Sequence, residues 1–269
     1  MKHRSPGQLV GHGLLLAALA VALSGCDVMV GMGGFGGKEI ARDQWTRSYP
    51  LAAGGQLEIV NANGAIETDA ADGNTVEVTA TRSARAATVE AAKEVLQKVE
   101  IQEETPAGGV RLTVKAPSAL VGGQVNIEFK VKVPRTAALR LVNSNGRITV
   151  IGAQGAVKAE VSNGSVTGRG LTGPVDASTT NGSVSIDVDA VAEGGIKLAT
   201  TNGGVQLMIP SGAKADLQAA CTNGGVNVSN LTLQNRGEQS RRRVEGALNG
   251  GGPRIELGTT NGGIKITGK

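Results

Sequence analysis

The 269-residue chain has few of the residue types that most catalytic and nucleic-acid-binding proteins use. Aromatic side chains are rare, so the chain has no row of rings on which bases or sugars could stack. Basic and acidic residues number 27 and 23, and this near balance also argues against a nucleic acid partner. The aromatic residues are Phe35, Trp45, Tyr49 and Phe129.

Histidine and cysteine are equally scarce. The two histidines, His3 and His12, lie in a segment that we predict is removed, so the mature chain cannot use a Ser-His-Asp or Cys-His nucleophile or bind zinc through histidine. If Cys26 carries a lipid, Cys221 is the only other cysteine and forms no intrachain disulfide. Three other repeats have Thr at its position, at 179, 200 and 259, so we interpret Cys221 as a small buried residue, with a reactive thiol as the alternative. We predict no cofactor and no metal site.

The first 25 residues have the pattern of a signal peptide. Lys2 and Arg4 precede an apolar run at residues 14–23, which is too short to span a membrane as a mature helix. Residues 23–26, LSGC, resemble the lipobox of bacterial lipoproteins, whose cysteine is acylated and becomes the new N-terminus. We therefore predict a lipoprotein signal peptide over residues 1–25, lipidation of Cys26, and a mature protein held on a membrane of the cell envelope.

The residues that follow Cys26 predict a tether. Residues 26–42 contain glycine at 31, 33, 34, 36 and 37, a composition typical of flexible coil. Asp27 comes directly after the cysteine, and in enteric bacteria an aspartate there is associated with retention at the inner membrane. Other bacteria sort lipoproteins differently, so the choice between inner and outer membrane, and between periplasmic and surface exposure, stays open.

One short phrase recurs through the predicted folded domain, residues 43–269. An Asn-Gly step is followed, at the second position beyond the glycine, by an apolar residue, and the steps from Asn145 to Asn261 are 18, 18, 21, 21 and 38 residues apart. A period near 20 residues is typical of stacked repeats, in which each unit buries its apolar face against its neighbours. The predicted corner residues are Asn63, Gly64, Asn145, Gly146, Asn163, Gly164, Asn181, Gly182, Asn202, Gly203, Asn223, Gly224, Asn261 and Gly262.

Each repeat has the pattern of two short strands and two corners. Apolar residues alternate with polar ones after the Asn-Gly step, as at Val184, Ile186 and Val188, and alternate again before the next step. Asn and Gly tolerate positive φ, so the dipeptide marks a corner. We predict an all-β fold, a single-stranded, parallel β-helix-like solenoid of about eight coils. Five corner asparagines should stack in sequence order as an amide ladder: Asn145, Asn163, Asn181, Asn202 and Asn223. An antiparallel meander with type I′ hairpins is the rival arrangement.

Two segments interrupt the repeat. Residues 84–98 have apolar residues at three- and four-residue steps, which predicts one helix that caps the N-terminal end of the solenoid. Residues 230–249 occupy the doubled interval and predict a loop insertion. Arg241, Arg242 and Arg243 in this loop are either solvated residues or a contact site for acidic polysaccharide or anionic lipid headgroups.

An enzyme is the rival class of function. Asp187 and Asp189 alternate with Ile186 and Val188, so the two carboxylates share a strand face about 7 Å apart, where they could bind Ca²⁺ or act as an acid/base pair on polysaccharide. Their spacing matches neither the EF-hand nor the glycine-rich calcium repeat. Two acids on a wet strand face are ordinarily just solvated. We therefore predict that the protein is not an enzyme.

Together these motifs resemble a bacterial lipoprotein family of "putative adhesins", which has β-strand repeats and is a domain of unknown function. The resemblance covers residues 56–269, where Asn-Gly steps followed by Val or Ile recur and a glycine-rich excursion precedes the last repeat. It implies no catalytic residues. We expect a non-catalytic binding or structural module, with a face of Thr, Ser, Asn and Lys open to a glycan or protein ligand. A periplasmic envelope-stress or sensing scaffold is the alternative.

Overall fold

A computed structural model of the chain describes residues 29–31, 39–116 and 125–269. Over these ranges the chain forms 22 strands and one helix, which confirms the prediction of an all-β fold with a single helix in its N-terminal part. Within the same ranges no helix is both long enough and apolar enough to cross a membrane. The predicted signal peptide and Cys26 lie outside the described residues.

The elements are short and follow one another closely along the chain. The N-terminal part forms β1 (Met29–Gly31), β2 (Glu39–Pro50), β3 (Gln56–Asn63), β4 (Ile66–Ala71), β5 (Thr75–Ala86), α1 (Val89–Gln97), β6 (Glu100–Glu104), β7 (Gly109–Lys115) and β8 (Val125–Pro134). The repeats form β9 (Ala138–Asn145), β10 (Ile148–Ile151), β11 (Val157–Asn163), β12 (Val166–Leu171), β13 (Val175–Asn181), β14 (Val184–Val188), β15 (Ile196–Asn202), β16 (Val205–Ile209), β17 (Ala215–Asn223) and β18 (Val226–Ser229). The last strands are β19 (Leu233–Ser240), β20 (Arg243–Leu248), β21 (Arg254–Asn261) and β22 (Ile264–Gly268).

Two sheets, A and B, contain 11 strands each, and the strands of the repeats alternate between them. A strand of sheet B, the corner after it and the next strand of sheet A form one coil. Neighbouring coils pair in parallel, so the antiparallel meander is excluded for these strands. The parallel part of sheet A has the order β8-β4-β10-β12-β14-β16-β22-β18. That of sheet B has the order β7-β3-β9-β11-β13-β15-β21-β17.

The period-two alternation decides which side chains enter the space between the sheets. In β13 the buried residues are Val175, Ala177 and Thr179, and the residues between them face outward. From the opposite sheet, β14 contributes Val184 and Ile186, which are 0% and 3% exposed. Each fully buried Val or Ile contributes about 1.5–3 kcal/mol. The column of such residues therefore holds one coil on the next.

The last coil of the chain is not the last coil of the stack. Strand β21 pairs with both β15 and β17, and β22 pairs with both β16 and β18. The coil β21–β22 thus lies between two coils that precede it in sequence. A stack in which coils follow sequence order, which the repeat spacing suggests, is wrong at this point, because the chain leaves the coil β17–β18 and returns beneath it.

The segment 230–249 forms that excursion, and it is not the predicted loop. It contains the antiparallel hairpin β19–β20, and β20 pairs with the outer edge of β17. Its apolar residues Val244, Ala247 and Leu248 are buried, being 8%, 0% and 0% exposed. The hairpin therefore covers the sheet-B edge of the terminal coil, an edge that would otherwise offer unpaired backbone groups.

At the other end of the stack, antiparallel strands extend both sheets. Strands β5, β2 and β1 continue sheet A beyond β8, and β6 continues sheet B beyond β7. Because β1 and the start of β2 fall within residues 26–42, the predicted tether is partly strand and the domain begins before residue 43.

Polar side chains join the two sheets at this end. The buried Tyr49 hydroxyl of β2 donates to Glu103 of β6, and Arg47 Nε donates to the same carboxylate at 3.2 Å. Burial, together with the Glu103 contact, raises the pKa of Tyr49 well above its usual range.

Helix α1 packs against β2 and β5 at this end. It begins where the Thr88 hydroxyl accepts a hydrogen bond from the Ala91 amide, and it buries Ala92 and Leu96. The helix is shorter than the predicted range of 84–98, because residues up to Ala86 pair within β5. Alanines at positions 41 and 84 of the underlying strands are fully buried, and their small side chains let the helix approach closely.

Candidate functional site

The corner asparagines stack along one edge of the solenoid. In each coil the side-chain amide Nδ2 donates to Oδ1 of the asparagine in the next coil, at 2.8–3.0 Å. In this parallel stack every internal asparagine therefore uses one side-chain donor and one side-chain acceptor within the ladder. The order along the ladder is Asn63, Asn145, Asn163, Asn181, Asn202, Asn261 and Asn223.

Two details of this ladder differ from the sequence prediction. Asn202 and Asn223 are not neighbours, because Asn261 lies between them and bonds to both. The ladder also includes Asn63, whose coil stacks directly on that of Asn145. The glycine of each pair occupies the position where the coils come closest. Gly182, for example, has φ +148°, and a Cβ added there would lie 1.9 Å from the Gly164 carbonyl oxygen.

A second polar row lies behind the ladder, inside the solenoid. The hydroxyls of Thr179, Thr200 and Thr259 each donate to a corner glycine carbonyl of a neighbouring coil at 2.9 Å. Each bond joins the core of one coil to the corner of another. Cys221 occupies the same row in the terminal coil, opposite Thr259, and is buried.

A third row faces solvent on the outer surface of sheet B. In six of the seven coils of the ladder a hydroxyl residue precedes the corner asparagine, and all six are exposed; the exception is Ala62, before Asn63. Strand registry places these hydroxyls one above another at a spacing of about 4.8 Å. The outward column beside them contains Val142 and Glu160 on β9 and β11 and then the small residues Ser178, Ala199 and Gly258. A shallow depression of about 450 Å³ lies along β9, β11, β13 and β15. The hydroxyl row consists of Ser144, Ser162, Thr180, Thr201, Thr260 and Thr222.

The two acids that suggested an enzyme or calcium site are engaged by a lysine. The Lys269 ammonium donates to Asp189 Oδ1 at 2.7 Å and also to Asp187. The hydrogen bonds to Asp187 and then Asp189 raise the pKa of Lys269. The carboxylates therefore face a cation supplied by the chain itself, and the described residues contain no group of three or more possible metal ligands. Sequence reasoning missed Lys269 because it is 80 residues from Asp189.

The predicted anionic contact lies at the turn of the hairpin β19–β20. Arg241, Arg242 and Arg243 are all exposed, and Arg243 Nε donates to Glu245 at 2.8 Å. The backbone carbonyls of Arg241 and Arg242 accept hydrogen bonds from the terminal coil, from Val226 and Cys221, at 2.9 Å each. The turn is thus fixed against the end of the solenoid farthest from α1. Cys26, the predicted lipidation site, lies outside the described residues.

These features define a class, that of all-β repeat proteins built from parallel coils with regular polar faces. Residues 147–267 match the model of the family described as Toastrack DUF4097. This part of the chain is therefore similar to the Toastrack DUF4097 domain, a domain of unknown function, and the family resemblance predicted from the sequence is confirmed.

One solved structure supports the same fold. A "putative cell adhesion protein" from Clostridium sporogenes has 10% identity, a TM-score of 0.51, and a match that covers 85% of this chain and 100% of its own. A "putative adhesin" from Bacteroides fragilis has 9% identity, a TM-score of 0.40, and coverage of 83% and 97%. Comparison with curated proteins gave no significant match. At 10% identity the likeness to the C. sporogenes protein shows the fold alone.

Proposed function

We propose that this chain is a lipid-anchored β-solenoid of eight coils in the cell envelope, which acts as a non-catalytic, adhesin-like binding module. The observation that carries the proposal is the outer face of sheet B, where an exposed hydroxyl and an exposed amide recur in register from coil to coil. A surface with one repeat suits an extended partner with its own repeat, such as a glycan chain. The description of the C. sporogenes protein as a cell adhesion protein is in line with this function.

The geometry of that face favours binding over catalysis. Hydroxyls both donate and accept hydrogen bonds and carry no charge, so the row can contact sugar hydroxyls or a peptide backbone without a large desolvation penalty. The small residues Ser178, Ala199 and Gly258 lie beside the row and leave space for a partner to approach. A protein ligand in extended conformation is the second partner that this face would accept.

The arginine turn supplies a second contact in this proposal, at the end far from the lipid. Its exposure and its backbone anchoring present three guanidinium groups on a rigid support, which suits acidic polysaccharide. We expect Arg241→Ser, Arg242→Ser and Arg243→Ser together to weaken binding to immobilised alginate at least tenfold, measured by surface plasmon resonance. The control removes three exposed lysines elsewhere, at positions 93, 98 and 115. Equal losses in both variants would contradict a specific site.

Lipid anchoring is tested at Cys26. In Cys26→Ala cells we expect loss of labelled palmitate from the protein and its release from the membrane fraction, because the acyl chains supply the membrane affinity. Cys221→Ala is the matched control, since it removes the buried cysteine and leaves the LSGC motif unchanged. Persistent labelling of Cys26→Ala, or equal release of both variants, would overturn the anchor.

Protease treatment of intact cells distinguishes the two locations that the proposal allows. Digestion from outside would support the adhesin-like function at the cell surface. Protection until the outer membrane is opened would instead support the alternative, a periplasmic scaffold or sensor, in keeping with Asp27.

A further inference from the structure

We propose that a basic groove at the N-terminal end of sheet A binds anionic phospholipid headgroups of the membrane in which the chain is anchored. The inference rests on the proposed lipid anchor for its geometry and on three arginines, Arg42, Arg85 and Arg147, for its chemistry. The sequence analysis assigned no role to any of them.

The groove exists because sheet A is longer than the coil beside it. Strand β4 begins its pairing with β8 at Ile66 opposite Phe129, whereas β8 starts at Val125. The first four residues of β8, together with the paired ends of β5 and β2, therefore extend past the corner at Gly64. The corner touches this extension: a Cβ added at Gly64 would lie 2.1 Å from the Ile127 carbonyl oxygen. The groove lies between this extension and the corner residues and has a volume of about 730 Å³.

Two of the arginines lie on the extension, on its outer surface. Ala41 and Ala84 are fully buried, so the alternating neighbours Arg42 and Arg85 face the other way, into the groove. Ile40 is paired with Arg85 and Arg42 with Ser83, which makes the two arginines diagonal neighbours about 7–8 Å apart. Neither has a side-chain hydrogen bond or ion pair among the described residues.

The other charged residues that line the groove leave its net charge positive. Arg147 enters from the corner of the next coil, and its guanidinium is 3.3 Å from Glu67. The acid that lines the groove is Glu128, which accepts a hydrogen bond from Asn126 at 3.4 Å. Two guanidinium groups held near each other without a carboxylate partner repel one another, and an anion between them relieves this repulsion. A phosphate group, with several acceptor oxygens, matches such a pair.

The position of the groove selects membrane phosphate over other sources. Arg42 pairs with Met29 of β1, and Met29 is three residues after Cys26, so even a fully extended link places Cys26 within about 16 Å of Arg42. The turn at Arg241, by contrast, lies at the opposite end of a stack whose eight parallel coils span about 34 Å. A rod anchored at Cys26 with its groove on the bilayer therefore presents the arginine turn away from it.

The test uses the full chain with Cys26→Ala, so that no acyl chain contributes. Cosedimentation is measured with vesicles of equal parts phosphatidylglycerol and phosphatidylcholine and with vesicles of phosphatidylcholine alone, which report the charge-independent affinity of residues 1–25. The attraction of Lys2 and Arg4 to phosphatidylglycerol is common to all variants and cancels when they are compared. We expect Arg42→Ser with Arg85→Ser to lower the phosphatidylglycerol-dependent partition roughly 25-fold, about fivefold per basic residue. The corresponding double lysine variant should retain most of the binding.

The variant with serine at 241, 242 and 243 is the control, because it removes more charge at the far end and should bind vesicles almost as the parent does. Equal loss in the two variants, or no dependence on phosphatidylglycerol, would overturn the proposal. Groove-dependent binding to alginate without vesicle binding would assign the groove to a glycan instead. Because acylation is absent throughout, failure of the lipid anchor at Cys26 leaves this result unchanged and is detected separately by palmitate labelling.

Discussion

Gly182→Ala is expected to lower the free energy of unfolding by roughly 2–6 kcal/mol. A backbone with φ +148° is strained for any residue with a Cβ, at about 1–3 kcal/mol. The added methyl would also lie 1.9 Å from the Gly164 carbonyl oxygen, so the coils must separate, and overpacking of this kind costs a further 1–3 kcal/mol or so. Separation would also lengthen the hydrogen bond from the side-chain amide of Asn181 to that of Asn163, which is 2.8 Å. Urea unfolding followed by circular dichroism measures the change.

Gly258→Ala provides the comparison for Gly182→Ala. Gly258 lies in β21 on the outer face of sheet B, and a Cβ there has nothing within 4 Å. Alanine loses less backbone entropy on folding than glycine, so this variant should match the parent or gain up to about 1 kcal/mol. If both variants unfold at the same urea concentration, the close approach of the corners does not limit stability, and the packing of coil on coil has been misassigned.

The features that the sequence predicted correctly are those that each repeat encodes locally. Alternation at Val184, Ile186 and Val188 fixes a strand with one buried face, whatever its neighbours are. The positive φ of each tight corner likewise selects the glycine of the Asn-Gly step, and the side-chain ladder accounts for the asparagine before it. Parallel stacking then follows, because coils of similar length bury similar columns of side chains.

The order of the coils was not predictable by the same reasoning. The phrases TTNGGV, CTNGGV and TTNGGI, at residues 200–205, 221–226 and 259–264, are almost the same. Each would fit beside either of the others, since Thr200, Cys221 and Thr259 occupy equivalent buried positions. The order of these three coils depends on the hairpin β19–β20. It pairs with the outer edge of β17, and the chain then returns as β21 between β17 and β15. A long interval between repeats predicted an insertion there but not its path.

The candidate sites show the same division. The corner asparagines share one phrase and could be found by its recurrence. The ion pair of Lys269 with Asp187 and Asp189 joins residues 80 or more positions apart, and it forms only because β22 lies two strands from β14. Arg42, Arg85 and Arg147 come from three strands or corners with no common motif. Such groups become visible only when the topology is known.

Ile266→Asp is expected to destabilise the protein far more than Val228→Asp, although the two residues are register partners on neighbouring strands. Ile266 is 0% exposed in the inserted coil. An unpaired carboxylate there has coils on both sides, and we expect a loss above about 4 kcal/mol. Val228 lies in the outermost strand of sheet A and is only partly buried. Its replacement should cost about 1–2 kcal/mol, because the charge can remain in contact with water.

The comparison distinguishes two ways of stacking the same coils. If the coils followed sequence order, β21–β22 would end the rod and β17–β18 would be internal, so Val228→Asp would be the more damaging change. Thermal unfolding and limited proteolysis of the two variants decide between these orders. The control is Lys265→Asp, because Lys265 is exposed on the same strand as Ile266. Its melting temperature should be close to that of the parent, which would show that a new carboxylate on this strand is not destabilising unless it is buried. A lower melting temperature for Val228→Asp than for Ile266→Asp would mean that the returning strand does not enter the stack.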